Sequence, residues 1–314
     1  MGIQAVVIGS LNMDLTVRVA QLPAEGETLL AEASTELPGG KGGNQAAAIG
    51  KLGIATAMIA KVGADDYGDR LVASLQGSGV DISGVMVSDR STGMAMITID
   101  REGRNHIVVI PGANADLSCE DIESQRHLIE QCEIVVLQLE IPYETAVYAL
   151  RLAKQLGKRT VLNPAPAREL DAETLSLVDL LIPNEHELES ITGVAPQDES
   201  HLLEAAGRLE AQGTKAMIVT LGAAGCALIR DGQLQTFAAT RVQAVDTTAA
   251  GDSFIGGYVA EYLTTGDDER AIRFAMQAAA VTVTRHGAQQ SLPSRAEVQA
   301  LHGSANADAD APRG

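Results

Sequence analysis

The segment Ile134-Val135-Val136-Leu137-Gln138-Leu139 is followed by Tyr143 to Leu156 and then by Thr160-Val161-Leu162-Asn163. The outer two pieces are short, apolar and rich in β-branched residues. The middle one repeats Ala and Leu three or four positions apart. This is strand, helix, strand, and the strands are apolar throughout rather than alternating, as expected when both faces of a sheet are covered. Val6 to Gly9, Thr56 to Val62, Leu180 to Pro183 and Met217 to Leu221 repeat the strand pattern, and His201 to Gln212 repeats the helical one. The chain therefore predicts an α/β fold of three layers, α/β/α, around a mostly parallel sheet.

Two stretches depart from this. Leu15-Thr16-Val17-Arg18-Val19 and Met94 to Asp100 alternate apolar and polar residues, the pattern of half-exposed antiparallel strands. With Thr28 to Glu32 and His106 to Ile110 they predict a small second sheet, a lid over the strand ends or an ordinary edge hairpin, drawn from about residues 13–37 and 92–110. At 314 residues and 46% hydrophobic, the chain can bury one large core. One domain is expected over residues 1–302, with a disordered tail over 303–314 that is Ala, Asp and Gly rich.

Twenty-three Lys and Arg face 41 Asp and Glu, a net charge of −18. Nucleic acid and anionic membranes would be repelled, so an anionic ligand must be held by local devices such as a helix N-terminus, a metal ion or one lysine. Cys119, Cys132 and Cys226 are odd in number and widely spaced, which suits free thiols in a reducing cytoplasm. No basic leader opens the chain and no run approaches the ~18 apolar residues of a membrane span, so a cytoplasmic protein is expected.

Four constellations carry chemistry. Pro38-Gly39-Gly40-Lys41-Gly42-Gly43-Asn44-Gln45 is a glycine-rich turn entering an alanine-rich helix. Its amides can approach a polar ligand, and Asn44 can cap the helix or bond a hydroxyl. It is not a Walker loop, because Lys41 precedes a glycine. Asn12 and Asp14 follow the first strand, where open α/β sheets bind ligands, and Glu140 stands at another strand end. An Asx turn would use Asn12 and Asp14 equally well.

Asp246-Thr247-Thr248-Ala249-Ala250-Gly251-Asp252-Ser253-Phe254 runs into a helix-period segment. Free amides from Ala249 to Asp252 would stabilise charge developing on a transferred phosphoryl group, and Asp252 could accept the proton of an attacking hydroxyl or merely cap the helix. Pro183-Asn184-Glu185-His186-Glu187 opens another helix, where Asn184 and Glu187 could orient phosphates directly or through magnesium. Thr220-Leu221-Gly222-Ala223-Ala224-Gly225 joins two strands, as a nucleotide-facing turn or a plain hairpin. No strand is followed by the G-x-G-x-x-G spacing of dinucleotide sites, and His186-Glu187 lacks the second histidine of a zinc protease.

Taken together, PGGKGGNQA near residue 40, NPAPAREL at 163, PNEHE at 183 and DTTAAGDSF at 246 resemble the ribokinase and carbohydrate kinase family, in order, from Val6 to about Leu301. The resemblance implies ATP-dependent phosphorylation of the 5-hydroxyl of D-ribose with Mg2+ present, and a homodimer through the lid. It implies that Asn12, Asp14, Gly40, Lys41, Asn44, Glu140 and Asp252 hold the sugar, and that Asp252 is the base beside an anion hole of Ala249, Ala250, Gly251 and Asp252. It assigns ATP to Asn184, Glu187, Gly251 and Thr220 to Gly225, with an adenine contact near Met276. It further implies a K+ ion at Asp246, Thr248, Thr282, Arg285, Gly287 and Ser291. The family's usual Gly-Ala-Gly-Asp reads Ala249-Ala250-Gly251-Asp252 here, an alanine that a negative φ would accommodate. A kinase for 2-deoxyribose, fructose or a nucleoside is the nearest alternative, and an idle sugar sensor a more distant one.

Overall fold

The computed structural model describes residues 2–301; the expected tail lies outside the described residues. In chain order, β1 (Ala5–Ile8) leads to β2 (Asn12–Arg18), β3 (Ala33–Gly39), α1 (Lys41–Lys51), β4 (Thr56–Gly63), α2 (Asp66–Gly77) and β5 (Val80–Ser88). Next come β6 (Gly93–Ile99), β7 (Asn105–Ile110), α3 (Cys119–Ser124), α4 (Arg126–Gln131), β8 (Ile134–Leu137), α5 (Tyr143–Gln155) and β9 (Arg159–Leu162). The chain continues through α6 (Ala172–Ser176), β10 (Leu180–Leu181), α7 (Glu185–Thr192), α8 (Glu199–Glu210), β11 (Met217–Thr220), β12 (Cys226–Arg230), β13 (Gln233–Phe237), α9 (Ala250–Thr265) and α10 (Asp268–Val283).

Nine strands form the large sheet in the order β13-β12-β11-β10-β9-β8-β1-β4-β5, parallel except for the two antiparallel pairings, β11/β12 and β12/β13, at one edge. Its faces bury separate clusters. Val7, Met58 and Val136 pack under α1, α2, α9 and α10, while Val6, Ile59 and Val135 pack under α3 to α8. Each fully buried Val, Leu or Ile stabilises the fold by about 1.5–3 kcal/mol, which is why these strands carry no polar alternation. The chain builds outward from β1 in both directions, so the carboxyl end of β1 faces the crevice where open sheets bind ligands. No helix among the described residues is long and apolar enough to cross a membrane.

The small sheet exists, but it differs from the sequence expectation twice. Its order is β3-β2-β6-β7, and the central pair β2/β6 is parallel. Both strands leave the large sheet from its carboxyl side, β2 after β1 and β6 after β5, so they run outward together. The strand expected at Thr28 to Glu32 forms instead at Ala33–Gly39, because Asn12 pairs with Gly39 and Arg18 with Ala33. Hydropathy misplaces it: Leu30 is 93% exposed and the outer half of β3 is solvated.

One packing detail sets up the site. A Cβ on Gly256 would fall 2.4 Å from the Ala48 Cβ, and one on Gly257 2.8 Å from the Ala275 Cα. The two glycines let α9 lie against α1 and α10 at backbone distance, bringing the N-terminal turns of α1 and α9 together.

Candidate functional site

The glycine-rich turn is packed against the segment that leaves β1. A Cβ at Gly40 would approach Asn12 N to 2.7 Å, and one at Gly42 would approach Ser10 N to 2.6 Å. Asn12, only 3% exposed, accepts from Asn114 Nδ2 at 2.8 Å, and Asn114 also accepts from Leu11 N at 2.9 Å. Glu140 accepts Ser10 Oγ and, at 3.1 Å, Lys41 N. Burial, then the charges of Glu140 and Asp252, push the Asp14 carboxyl up to about 7 against the pull of Lys41. Burial opposes the Lys41 ammonium, but Asp252, Glu140, Glu187 and Asp14 hold its pKa above the ordinary lysine value. Four carboxylates thus share one lysine.

Asp252 sits in the first turn of α9 and is 8% exposed. Asn44 Nδ2 donates to its Oδ2 and Gln45 Nε2 to its Oδ1, each at 2.9 Å. No side chain caps this helix. The Ala250 amide reaches Thr247 O at 3.2 Å, and the amides that follow in this first turn belong to the group an α-helix leaves without internal partners. Ala249 corrects the sequence expectation: its φ is +59°, in the left-handed region, because the chain must reverse sharply between Thr248 and the helix. An alanine there costs about 1 kcal/mol or more.

Across the cavity, Asn184 and Glu187 form a capping box: Asn184 Oδ1 accepts Glu187 N at 2.8 Å, and Glu187 Oε2 accepts Asn184 N at 2.9 Å. Burial raises the Glu187 pKa, against the backbone bond from Asn184 and the charge of Lys41. Thr220 bridges to Asn184 through Pro183 O at 3.0 Å. Lys41, Asn163, Asn184, Glu187, Thr220, Gly251 and Asp252 line one cavity of about 220 Å³. Leu221 to Gly225 turn the chain into β12 beside it, with Leu221 N bonded to Gly225 O at 2.8 Å and Ala223 and Ala224 exposed. Met276 does not line the cavity; it is 8% exposed and its sulfur lies 3.7 Å from Cys226 Sγ. A larger hollow of about 790 Å³ opens at the amino ends of β9 to β11, but Lys154 and Lys215 there are paired with Asp179.

A carboxylate among amide donors, beside a lysine, facing an uncapped helix start is machinery for moving a proton and a phosphoryl group. The sequence profile of the pfkB family carbohydrate kinases matches residues 3–295. The chain belongs to the pfkB carbohydrate kinase family. It is 40% identical to the ribokinase of Haemophilus influenzae over 292 residues, 93% of this chain and 95% of that protein. It is 41% identical to the deoxyribokinase of Salmonella typhi over 290 residues, 92% and 95% of the two chains. The solved structure of Arabidopsis thaliana ribokinase complexed with ribose and ATP superposes with a TM-score of 0.89 at 33% identity, covering 96% of this chain and 99% of that one.

In this pfkB family chain, of the six residues assigned to a monovalent ion, Asp246 and Thr248 lie in the loop before α9, Gly287 is bonded to Asp246, and Thr282 is bonded to Ser253 of α9. Asp246 accepts Thr248 N at 2.9 Å and Gly287 N at 3.0 Å, which fastens two loops together and holds its pKa low despite burial. Thr282 and Ser291 are fully buried, with hydroxyls bonded to Ser253 Oγ and Ala288 O at 2.7 Å each. The Arg285 guanidinium is paired with Glu297 at 2.6 Å. Sequence reasoning gave no role to Ser10 or Asn114, and met Gln45 and Asn163 only inside motifs. Each is an uncharged polar residue with at least one partner 93 or more positions away, which no local pattern reveals.

Proposed function

We propose that this chain transfers the γ-phosphoryl group of ATP to the 5-hydroxyl of D-ribose, giving D-ribose 5-phosphate and ADP. The observation that carries the reading is Asp252, a buried carboxylate held at both oxygens by amides, in a cavity that also presents Lys41 and the start of α9. Asp252 takes the hydroxyl proton as the sugar oxygen bonds to phosphorus and the bond to the β-phosphate oxygen breaks. Amides of Ala249 to Asp252 stabilise the charge on the phosphoryl oxygens, with Ala250 giving least because it already bonds Thr247 O. Asn12, Asp14, Gly40, Lys41, Asn44 and Glu140 hold the sugar. Asn184 and Glu187 hold the phosphate end, and the turn from Thr220 to Gly225 lies against the nucleotide. Met276, whose sulfur lies against Cys226 at the end of that turn, stands near the adenine.

Magnesium fits the Glu187 side: a buried carboxylate oxygen with raised pKa is a hard donor in want of a cation. When bound, it would neutralise phosphate charge. A potassium ion fits the loop around Asp246, where the donors of Thr248, Thr282, Arg285, Gly287 and Ser291 are all oxygen and the only carboxylate is already fastened to two amides. Its part is to order the loop before α9. Met96 and Ile107 to Ile110, 42–61% exposed on the small sheet, would form the contact of a homodimer. Three unpaired cysteines suit a cytoplasmic setting.

The deoxyribokinase at 41% identity favours a second reading, 2-deoxyribose as acceptor. Asn12, Asp14 and Asn44 argue for the fully hydroxylated pentose, since each buried group left unpaired against a deoxy sugar costs about 1–3 kcal/mol. A coupled ADP-release assay with ATP, magnesium and potassium decides, comparing ribose, 2-deoxyribose, fructose and adenosine below saturation. A kcat/KM preference for ribose supports the proposal, preference for another acceptor moves the substrate, and binding of ribose without turnover of any sugar favours a sensor.

A further inference from the structure

We infer that Gln45 is a positioning residue for the reaction, fixing the Asp252 carboxylate and tying it to the phosphate end of the cavity. This rests on the reading of Asp252 as the base. Gln45 is fully buried, and so is Gln138 beside it. A carboxylate can only accept, so Gln45 must present Nε2 to Asp252 Oδ1. Its Oε1 then faces the residue that follows β8, Gln138, whose Nε2 donates to it at 2.6 Å.

The cost of this arrangement marks it as more than packing. Gln138 Oε1 is buried with no partner, a loss a leucine pair would avoid. Gly9 makes the room for it, because a Cβ there would lie 2.0 Å from Gln138 Oε1. Gln45 Nε2 also lies 3.3 Å from Asn163 Oδ1, and Asn163 Nδ2 donates to Ile182 O at 3.0 Å and to Glu187 Oε2 at 3.4 Å. Two amides in series, Gln45 and Asn163, therefore connect the proton acceptor to the carboxylate of the Asn184–Glu187 box, and residues from α1 and from the segments just after β1, β8 and β9 are committed to aiming the first of them.

The test uses Gln45→Met and the double variant Gln45→Met with Gln138→Met, which refills the space with apolar side chains and leaves no orphaned amide. Turnover and ribose affinity are measured separately, by steady-state kinetics and by calorimetry, with circular dichroism melts to verify folding. The expected result is kcat lower by about 10-fold to 10²-fold in both variants, with the ribose Kd within about 3-fold of the parent. Parallel losses of affinity and turnover would overturn the inference, because general loosening of α1 produces that pattern. Should the single variant fail to fold, the double variant carries the same expectation, and parental kcat in it also overturns the inference. Asp252→Asn is run alongside. If it keeps turnover, the base reading fails first; if it is inactive while the double variant is unimpaired, only the role of Gln45 fails.

Discussion

Asn44 Nδ2 donates to Asp252 Oδ2 at 2.9 Å across 208 residues of sequence. The bond is possible because Gly256 lets α9 rest on Ala48 of α1, one turn beyond Asn44. Packing between helices thus sets the orientation of the Asp252 carboxylate. Asp252→Asn keeps the shape, removes the proton acceptor and sets amide against amide. Turnover is expected to fall by about 10²-fold to 10⁴-fold while calorimetric ribose affinity stays nearly intact. Near-parental turnover would remove Asp252 from the chemistry.

Asp14 makes the site sensitive to pH. With its pKa pushed up to about 7, the carboxylate that accepts from a sugar hydroxyl is lost as pH falls through that value, so the ribose KM should rise from pH 8 to pH 6. Asp14→Asn should flatten that dependence. The same shift bears on stability, since a folded-state value above the unfolded 3.8 favours the fold fully below 3.8 and loses that contribution as pH rises through about 7. Asp14→Asn should therefore melt at least ~2–4 °C above the parent at pH 8 and show no gain near pH 4. An equal gain at both pH values would contradict the charge argument.

Ala249 holds a left-handed backbone that glycine adopts freely. Ala249→Gly should raise unfolding stability by about 0.5–1 kcal/mol in denaturant titrations, the relief of strain exceeding the entropy glycine adds to the unfolded chain. A loss of stability would mean that the alanine methyl packs more usefully than its backbone strains.

The Asp246 loop gives an ion test that needs no variant. At equal ionic strength, replacing KCl with NaCl should lower kcat, and Asp246→Ala should lower activity and abolish the difference between the salts. Equal rates of the parent in both salts would sink the potassium assignment.

On β7, Ile107 and Val109 project to one face and are 54% and 47% exposed. Changing both to lysine should shift the mass measured by light scattering from dimer to monomer at micromolar concentration without lowering the melting temperature. A dimer that survives both changes must be held elsewhere.

Sequence legibility followed the range of the forces involved. The strand-helix-strand runs from Ile134 to Asn163 were readable because both sheet faces are buried and the periods are local. The alternation at Leu15 to Val19 and Met94 to Asp100 announced a second sheet, yet its β2/β6 pairing is parallel because of where two distant strands leave the first sheet. The strand at Ala33–Gly39 was hidden by its solvated outer half. Asp252 was readable from small residues before a helix start, whereas Gln45 was not: adjacent positions on a helix point about 100° apart, and only the approach of α9 and β8 brings Asn44 and Gln45 to one carboxylate.

The small sheet is rooted beside the large one at the row Gly39–Asn12–Gly93, where a Cβ at Gly39 would strike Asp14 Oδ2 at 2.1 Å and one at Gly93 would strike Asn12 Oδ1 at 2.3 Å, and Tyr67 and Arg70 of α2 brace it further out at Glu36. From Asn12 to Arg18, β2 extends about 20 Å beyond that row. The sheet is therefore a cantilever clamped at the end that carries Asn12 and propped by α2 at Glu36. A rotation of about 10° about the clamp would sweep the far tip by roughly 3 Å and move Asn12 hardly at all, over an arm of that length. Motion of that kind would be taken up at the rim beyond the α2 brace, while the row that carries Asn12 keeps its register.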